Sequence, residues 1–159
     1  LENVRLAVQA TPNGAHKGGF NLWSVWSDHH GLTEKAHTIL ETVAMADKQH
    51  ALVASLPHGD QRKLEVALLM ALDPLVYMFD EPTAGMSAEE ALVILNLIRQ
   101  LKADKSKIIL LVEHKMDVVR ELADRIIVLH NGQLVADGEP NEVIASPIVQ
   151  EAYLGVAPA

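Results

Sequence analysis

Two adjacent carboxylates, Asp80 and Glu81, directly follow the apolar run "LVYMF". Ligands of open α/β sheets bind at the carboxyl ends of the strands, so an acidic pair at this position could act on a ligand. Asp80 could give an oxygen ligand to a hard cation such as Mg²⁺, directly or through water. Glu81, one residue later, points elsewhere and could accept a proton from a water that attacks a phosphate. Taken alone, the pattern also fits a strand that ends in solvated acids.

A histidine, His114, ends a second apolar run, "KIILLVEH". A lone histidine is more often a surface or core residue than a ligand. At the end of a strand beside the Asp80 strand, however, its ring could donate a hydrogen bond to the same phosphate.

The elements that position these residues alternate between helices and strands from residue 60 onward. The segments "DQRKLEVALLMAL", "SAEEALVILNLIRQLKA" and "MDVVRELA" indicate helices. The first ends at Asp73-Pro74, and the second opens with the capping-box spacing of Ser87 and Glu90. The apolar runs between these helices lack polar alternation, which is typical of parallel strands that are buried on both faces.

The end of the chain indicates a hairpin and two short helices. Asn131-Gly132 is a two-residue turn between "RIIVLH" and "QLVADG". The segments "PNEVIAS" and "PIVQEAYLG" each open with a proline, which suits the first turn of a helix.

The first 55 residues indicate a small helical lobe. "LENVRLAVQA" has helical spacing, "TPNGAHKGGFN" has loop chemistry, and "TEKAHTILETVAMA" predicts a helix with Thr33 as its N-cap. Trp23 and Trp26 would share a packed helix face. We therefore predict an α/β protein with a helical subdomain over residues 1–72 and an α/β half over residues 73–159. That half would hold a mainly parallel sheet, the hairpin and the terminal helices.

Composition narrows the class of function. The formal net charge of −8 argues against a protein that grips nucleic-acid phosphates, and the absence of cysteine excludes disulfides and thiolate metal sites. The 159 residues are 49% hydrophobic, which is enough for a core. The longest central apolar run is interrupted by Asp73 and Pro74 and falls short of the ~20 residues that a membrane-spanning helix needs.

Taken in order, these segments resemble the ATP-binding cassette (ABC) ATPases. "LPHGDQ" is similar to the family's signature loop, "LVYMFDEPTAG" to the Walker B strand, "AGMS" to the D-loop and "ILLVEHKM" to the switch strand. The resemblance runs from about residue 56 to the end. "LEVA" and "EAYLG" resemble the ATPases of branched-chain amino acid importers and of urea or amide importers. The lipopolysaccharide-export ATPases are also close.

The resemblance implies roles for particular residues. Asp80 would organise Mg²⁺, Glu81 would be the general base and His114 would contact the γ-phosphate of ATP. The signature segment would bind the nucleotide held by a partner subunit; it comprises Leu56, Pro57, His58, Gly59, Asp60 and Gln61. The D-loop segment would border the same interface; it comprises Ala84, Gly85, Met86 and Ser87.

The resemblance also implies partners and a location. The partners would be a second ATPase subunit in a head-to-tail homodimer or paralogous pair, and transmembrane permease subunits that contact the helical subdomain. A substrate-binding protein outside the membrane would act indirectly. The protein would lie peripherally on the cytoplasmic face of the cell membrane.

The sequence departs from the family pattern at three places. Pro57 stands where a serine is usual, and Ser87 stands where an aspartate is usual. No G-x-x-x-x-G-K-[ST] phosphate loop occurs in the 159 residues. The resemblance places that loop and the glutamine loop upstream of Leu1. We therefore expect a truncated P-loop NTPase core that holds neither ATP nor Mg²⁺ tightly and is inactive alone. A non-catalytic interaction module is the alternative.

Overall fold

The computed structural model describes residues 1–11 and 30–151. The chain divides into two compact units, Leu1–Leu111 and Val112–Ala159. The predicted domain boundary between residues 72 and 73 remains a prediction. The predicted loop "TPNGAHKGGFN" (except for its first residue) and the predicted helix face of Trp23 and Trp26 lie outside the described residues.

Three helices form the start of the first unit. They are α1 (Glu2–Gln9), α2 (His30–Thr42) and α3 (His58–Leu72), and two short 3₁₀ turns, Ala46–Lys48 and Val53–Ser55, connect α2 to α3. α1 packs against both α2 and α3, and α2 packs against α3. The helices predicted for this part of the chain are therefore present. Its buried side chains are mainly aliphatic and include Val4, Val8, Ala36, Leu40, Val43, Leu64 and Ala67.

The prediction of Thr33 as an N-cap is wrong. α2 already begins at His30, so Thr33 lies inside the helix. Gly31 gives no helix signal in the sequence, but the packed face of Ala36, Ile39 and Leu40 stabilises the helix as a whole. Tertiary packing thus outweighs local propensity at this end of α2.

The predicted end of α3 is confirmed. Asp73 is in the left-handed conformation, with φ of 49°, and its N–H donates to the carbonyls of Leu69 and Met70. Lys107 Nζ lies 2.7 Å from the Asp73 carboxylate and 3.1 Å from the carbonyl oxygen of Pro74. These contacts fix the point at which the chain leaves the helix and enters the first strand.

A β–α–β unit completes the first unit. Strand β1 (Val76–Asp80) and strand β2 (Ile108–Val112) are joined by helix α4 (Ala88–Ala103) and form a parallel two-stranded sheet. α4 opens with the predicted capping box, in which Ser87 and Glu90 bond reciprocally. The prediction of parallel strands with a crossover helix is thus confirmed.

The prediction that these strands are buried on both faces is wrong. In β1, Tyr77 and Phe79 are buried, whereas Val76 and Met78 are exposed. In β2, the exposed side chains are Ile108, Leu110 and Val112. Only one face of the sheet is packed against the described parts of the chain, so the other face leaves its aliphatic side chains in solvent.

The second unit contains α5 (Met116–Leu122), β3 (Ile126–His130), β4 (Gln133–Gly138), α6 (Pro140–Ala145) and α7 (Pro147–Val149). β3 and β4 pair antiparallel, and His130 lies opposite Gln133. Asn131 and Gly132 both have positive φ, of 50° and 76°, as a two-residue hairpin turn requires. The predicted hairpin and the starts of both proline-led helices are confirmed, and residues 152–155 of the second predicted helix lie outside the described residues. Their core is aliphatic and consists of Ile126, Val128, Val143, Ile144 and Val149.

Within residues 1–11 and 30–151, every helix is too short or too polar to cross a membrane.

Candidate functional site

The acidic pair lies where β1 ends and the chain turns. Asp80 is the last residue of the strand and is exposed. Glu81 follows in the left-handed region with φ of 44°, which is uncommon for a residue other than glycine. Its carbonyl accepts a hydrogen bond from the N–H of Ala84 at 3.0 Å, and Thr83 is buried inside this turn. Strained backbone of this kind is concentrated at functional sites.

Asp80 borders a small cleft of about 190 Å³ between β1 and α3. Arg62 and Glu65 of α3 line the same cleft, and Arg62 Nη1 donates to Glu65 Oε2 at 2.8 Å. Among the described residues, the buried Nε of Arg62 has no hydrogen-bond partner. The remaining lining is mainly apolar and consists of Val66, Leu69, Met78, Phe79 and Pro82. Arg62 and Glu65 carry no motif that marks them in the sequence, although they follow the signature segment within one helix.

The chemistry of the donor set fits a magnesium ion that is held largely by phosphates and water. Asp80 gives one exposed carboxylate, and Mg²⁺ is commonly bound through one or two carboxylates together with substrate phosphates. The described part of the chain contains no cluster of three or more His, Cys, Asp or Glu side chains that could enclose a metal by itself.

The signature segment forms the start of α3. Pro57 occupies the N-cap position and makes no side-chain capping bond. Gln61 Nε2 donates to the carbonyl of Leu56 at 2.9 Å, and the backbone N–H of Gln61 donates to the carbonyl of Pro57 at 3.0 Å. Gln61 therefore satisfies the two carbonyl groups that precede α3. The side chain of His58 is exposed.

The carboxylate of Asp60 is turned into the protein. Asp60 is 3% exposed, and its oxygens lie 2.5 Å from Lys48 Nζ and 3.4 Å from Lys63 Nζ. The hydrogen bond from Lys48, assisted by the charges of Lys48 and Lys63, lowers the pKa of Asp60 below its ordinary value, although burial opposes this. Asp60 thus links the 3₁₀ turn at Ala46–Lys48 to the first turn of α3, a role that no local pattern in the sequence indicates.

The D-loop segment leads into α4. Gly85 has φ of +71°, which suits glycine, and Ser87 is the N-cap. The N–H and Oγ of Ser87 donate to Glu90 Oε2 at 3.0 and 2.9 Å, and the N–H of Glu90 donates back to Ser87 Oγ at 3.3 Å.

The structure brings the signature and D-loop segments together. A Cβ placed on Gly59 would overlap Glu90 Oε1 and lie 2.6 Å from Glu90 Cδ. A Cβ placed on Gly85 would lie 3.5 Å from His58 Cδ2. In the sequence, Glu90 is marked only by its capping-box spacing from Ser87.

His114 lies in the second unit, two residues beyond the end of β2. It is exposed, and its backbone N–H donates to Glu113 Oε2 at 3.2 Å. The predicted contact of His114 with a phosphate remains a prediction.

The chain is similar to known proteins over most of its length. The family described as ABC transporter matches residues 3–84, which are 82 of the 159 residues. The branched-chain amino acid transport ATP-binding protein LivG of Escherichia coli K12 is 37% identical over 99% of the chain and 62% of its own length. LivG of Salmonella typhimurium LT2 is 38% identical over 78% of the chain and 49% of its own length.

The fold is also similar to that of a solved ATP-binding cassette. The ADP conformation of MJ1267, an ATP-binding cassette of an ABC transporter, matches 97% of the chain with a TM-score of 0.68 and 27% identity. The chain covers 62% of that structure, so it spans about half to two thirds of the length of the proteins it matches. The predicted P-loop NTPase fold class is confirmed, and the chain belongs to the ABC transporter family.

Proposed function

We propose that the chain is part of the ATP-binding and ATP-hydrolysing subunit of an ABC importer for branched-chain amino acids. The observation that carries this proposal is the 37% identity to Escherichia coli LivG across 99% of the chain. LivG is named as a high-affinity branched-chain amino acid transport ATP-binding protein. The likeness supports this branch of the family, and urea or amide importers and the lipopolysaccharide-export ATPases are the alternatives.

The proposed chemistry is hydrolysis of the γ-phosphate of ATP at the end of β1. A carboxylate oxygen of Glu81 takes a proton from water while the water oxygen attacks the γ-phosphorus. The bond from that phosphorus to its bridging oxygen breaks, and the electron pair leaves with ADP. Asp80 would hold Mg²⁺, which when bound neutralises charge on the phosphates. The exposure of Asp80 and the left-handed backbone at Glu81 support these assignments.

The signature and D-loop segments would act across a subunit interface. In this proposal, Gly59 and the start of α3 approach the nucleotide of a second ATPase subunit, where backbone N–H groups and the positive end of the helix favour an anion. His114 would contact the γ-phosphate in its own subunit. Pro57 has no hydroxyl to donate, so backbone groups must supply the signature contact.

The proposed partners follow from the same resemblance. The helical subdomain would transmit closure of the ATPase pair to transmembrane permease subunits on the cytoplasmic face of the membrane. A binding protein outside the membrane would deliver the amino acid and contact the permease, not this chain. These assignments rest on the family and on the names of the relatives.

Uptake in cells tests the substrate class. Disruption of the gene should abolish most high-affinity uptake of radiolabelled leucine, isoleucine and valine and leave urea uptake unchanged. A complementing copy that carries Glu81→Gln should fail to restore uptake, whereas the unaltered gene should restore it. Loss of urea uptake alone would move the assignment to the urea branch. Unchanged uptake of every solute would favour the non-catalytic interaction module.

A further inference from the structure

Two close approaches join the start of α3 to the D-loop segment and the start of α4. In one, a side chain of α4 lies against a glycine of the signature segment, and in the other, a side chain of the signature segment lies near a glycine of the D-loop segment. Glu90, in the first turn of α4, lies over Gly59, and His58, in the first turn of α3, lies over Gly85. These two approaches place the first turn of α3 beside the D-loop segment and the first turn of α4.

The backbone conformation does not require glycine at position 59. The described glycines with positive φ are Gly85 and Gly132, so Gly59 has a φ that any residue can adopt. Glycine is also an unfavourable residue within a helix, where alanine is favoured. The feature that excludes alanine is space, because a methyl group on Gly59 would overlap the carboxylate of Glu90.

The carboxylate of Glu90 is held in this place by Ser87. A free glutamate could swing away from a methyl group at little cost because its side chain is flexible. Here Oε2 accepts hydrogen bonds from both the N–H and the Oγ of Ser87, at 3.0 and 2.9 Å. These bonds also lower the pKa of Glu90, so the side chain is a carboxylate at neutral pH. Moving Glu90 off Gly59 therefore breaks the capping box of α4.

We propose that Glu90 is a positioning residue that fixes the signature segment to the D-loop segment, so that both are presented to a partner subunit as one rigid surface. The proposal rests on the proposed function, in which both segments face a second ATPase subunit. It deepens that function because it assigns to Glu90 a coupling role within one chain, beyond the capping of its own helix.

A double-mutant cycle on the 159-residue chain tests the contact without nucleotide. Gly59→Ala should lower the midpoint of thermal unfolding by about 2–4 °C, since a lost capping interaction has an effect of this order in a chain of this size. In the Glu90→Ala background, the same Gly59→Ala change should raise the midpoint, because the overlap is gone and alanine favours the helix. In the matched Glu89→Ala background, Gly59→Ala should still lower it.

The sign of the Gly59→Ala effect decides the outcome. The same sign in the Glu90→Ala and unaltered backgrounds would overturn the proposal. If Gly59→Ala alone does not fold, folding of the Gly59→Ala/Glu90→Ala pair supports the proposal, and failure of the pair to fold overturns it.

Amide hydrogen exchange distinguishes coupling from simple capping. Gly59→Ala should speed exchange at least tenfold at the amides of residues 84–87, although the substitution lies in a different helix. Glu90→Gln should keep exchange slow, because glutamine can also serve as the third residue of a capping box. Unchanged exchange at residues 84–87 in Gly59→Ala would contradict the coupling. Neither readout involves ATP, so a failure here is distinguishable from a failure of the proposed ATPase function.

Discussion

Lys48 Nζ lies 2.5 Å from Asp60 Oδ2, and the carboxylate that it contacts is almost completely buried. Lys63 approaches the other oxygen of the same carboxylate at 3.4 Å. A charge that is taken out of water needs such partners, because an unpaired buried carboxylate is strongly unfavourable. The start of α3, and with it the signature segment, is thus held from inside the first unit.

Acid should weaken this attachment. The folded-state pKa of Asp60 is lowered, so its stabilising contribution is fully present above the unfolded value of about 3.9 and is lost as the pH falls through the lower folded value. Urea unfolding from pH 7 to pH 2.5 should show a steeper loss of unfolding free energy below about pH 4 in the unaltered chain than in Asp60→Asn. Parallel curves for the two proteins would show that the ion cluster contributes no pH-dependent stability.

Because the backbone at Glu81 is left-handed, a glycine at this position should give a more stable protein than an alanine. Glu81→Ala and Glu81→Gly both remove the carboxylate, but only alanine keeps the strain of φ near 44°. That strain costs about 1–2 kcal/mol, and the greater freedom of glycine in the unfolded chain offsets about 0.5–1 kcal/mol of the gain. We expect Glu81→Gly to be the more stable by roughly 0.5–1 kcal/mol in urea unfolding. Equal stabilities would mean that the turn relaxes in solution.

Adjacent residues of β1 should differ sharply in their effect on stability. Phe79 is 6% exposed and Met78 is 68% exposed. Phe79→Ala should therefore lower the free energy of unfolding by about 3–5 kcal/mol, as in other cores. Met78→Ala should change it by less than about 0.5 kcal/mol, as at other surface positions. A large loss for Met78→Ala would show that something covers this face of the sheet in solution.

The sequence predicted the features that are encoded within a few residues of each other. The stop at Asp73-Pro74, the capping box of Ser87 and Glu90 and the turn at Asn131-Gly132 each have a local chemical signature, and each is present. The left-handed Glu81 was not predictable, because glutamate carries no preference for positive φ.

Contacts between distant segments could not be predicted from the sequence either. Lys48 and Asp60 come from different elements, and nothing in either segment marks the other as its partner. The same holds for Gly59 and Glu90, where the glycine was attributed to a phosphate contact and the glutamate to its own helix. The burial of β1 and β2 was overestimated because an apolar run shows which side chains can be buried, not which faces are covered.

ATP turnover tests the central claim most directly. Hydrolysis of Mg-ATP should be measured for the 159-residue chain and for a fusion that places the phosphate-loop part of an ABC ATPase relative before Leu1, each with Glu81 and with Glu81→Gln. We predict only trace turnover by the 159-residue chain, because its sequence contains no phosphate loop. The fusion should hydrolyse ATP and lose about 10²–10⁴-fold in kcat with Glu81→Gln. Turnover by the 159-residue chain that Glu81→Gln abolishes, or turnover by the fusion that Glu81→Gln leaves intact, would contradict the proposed function.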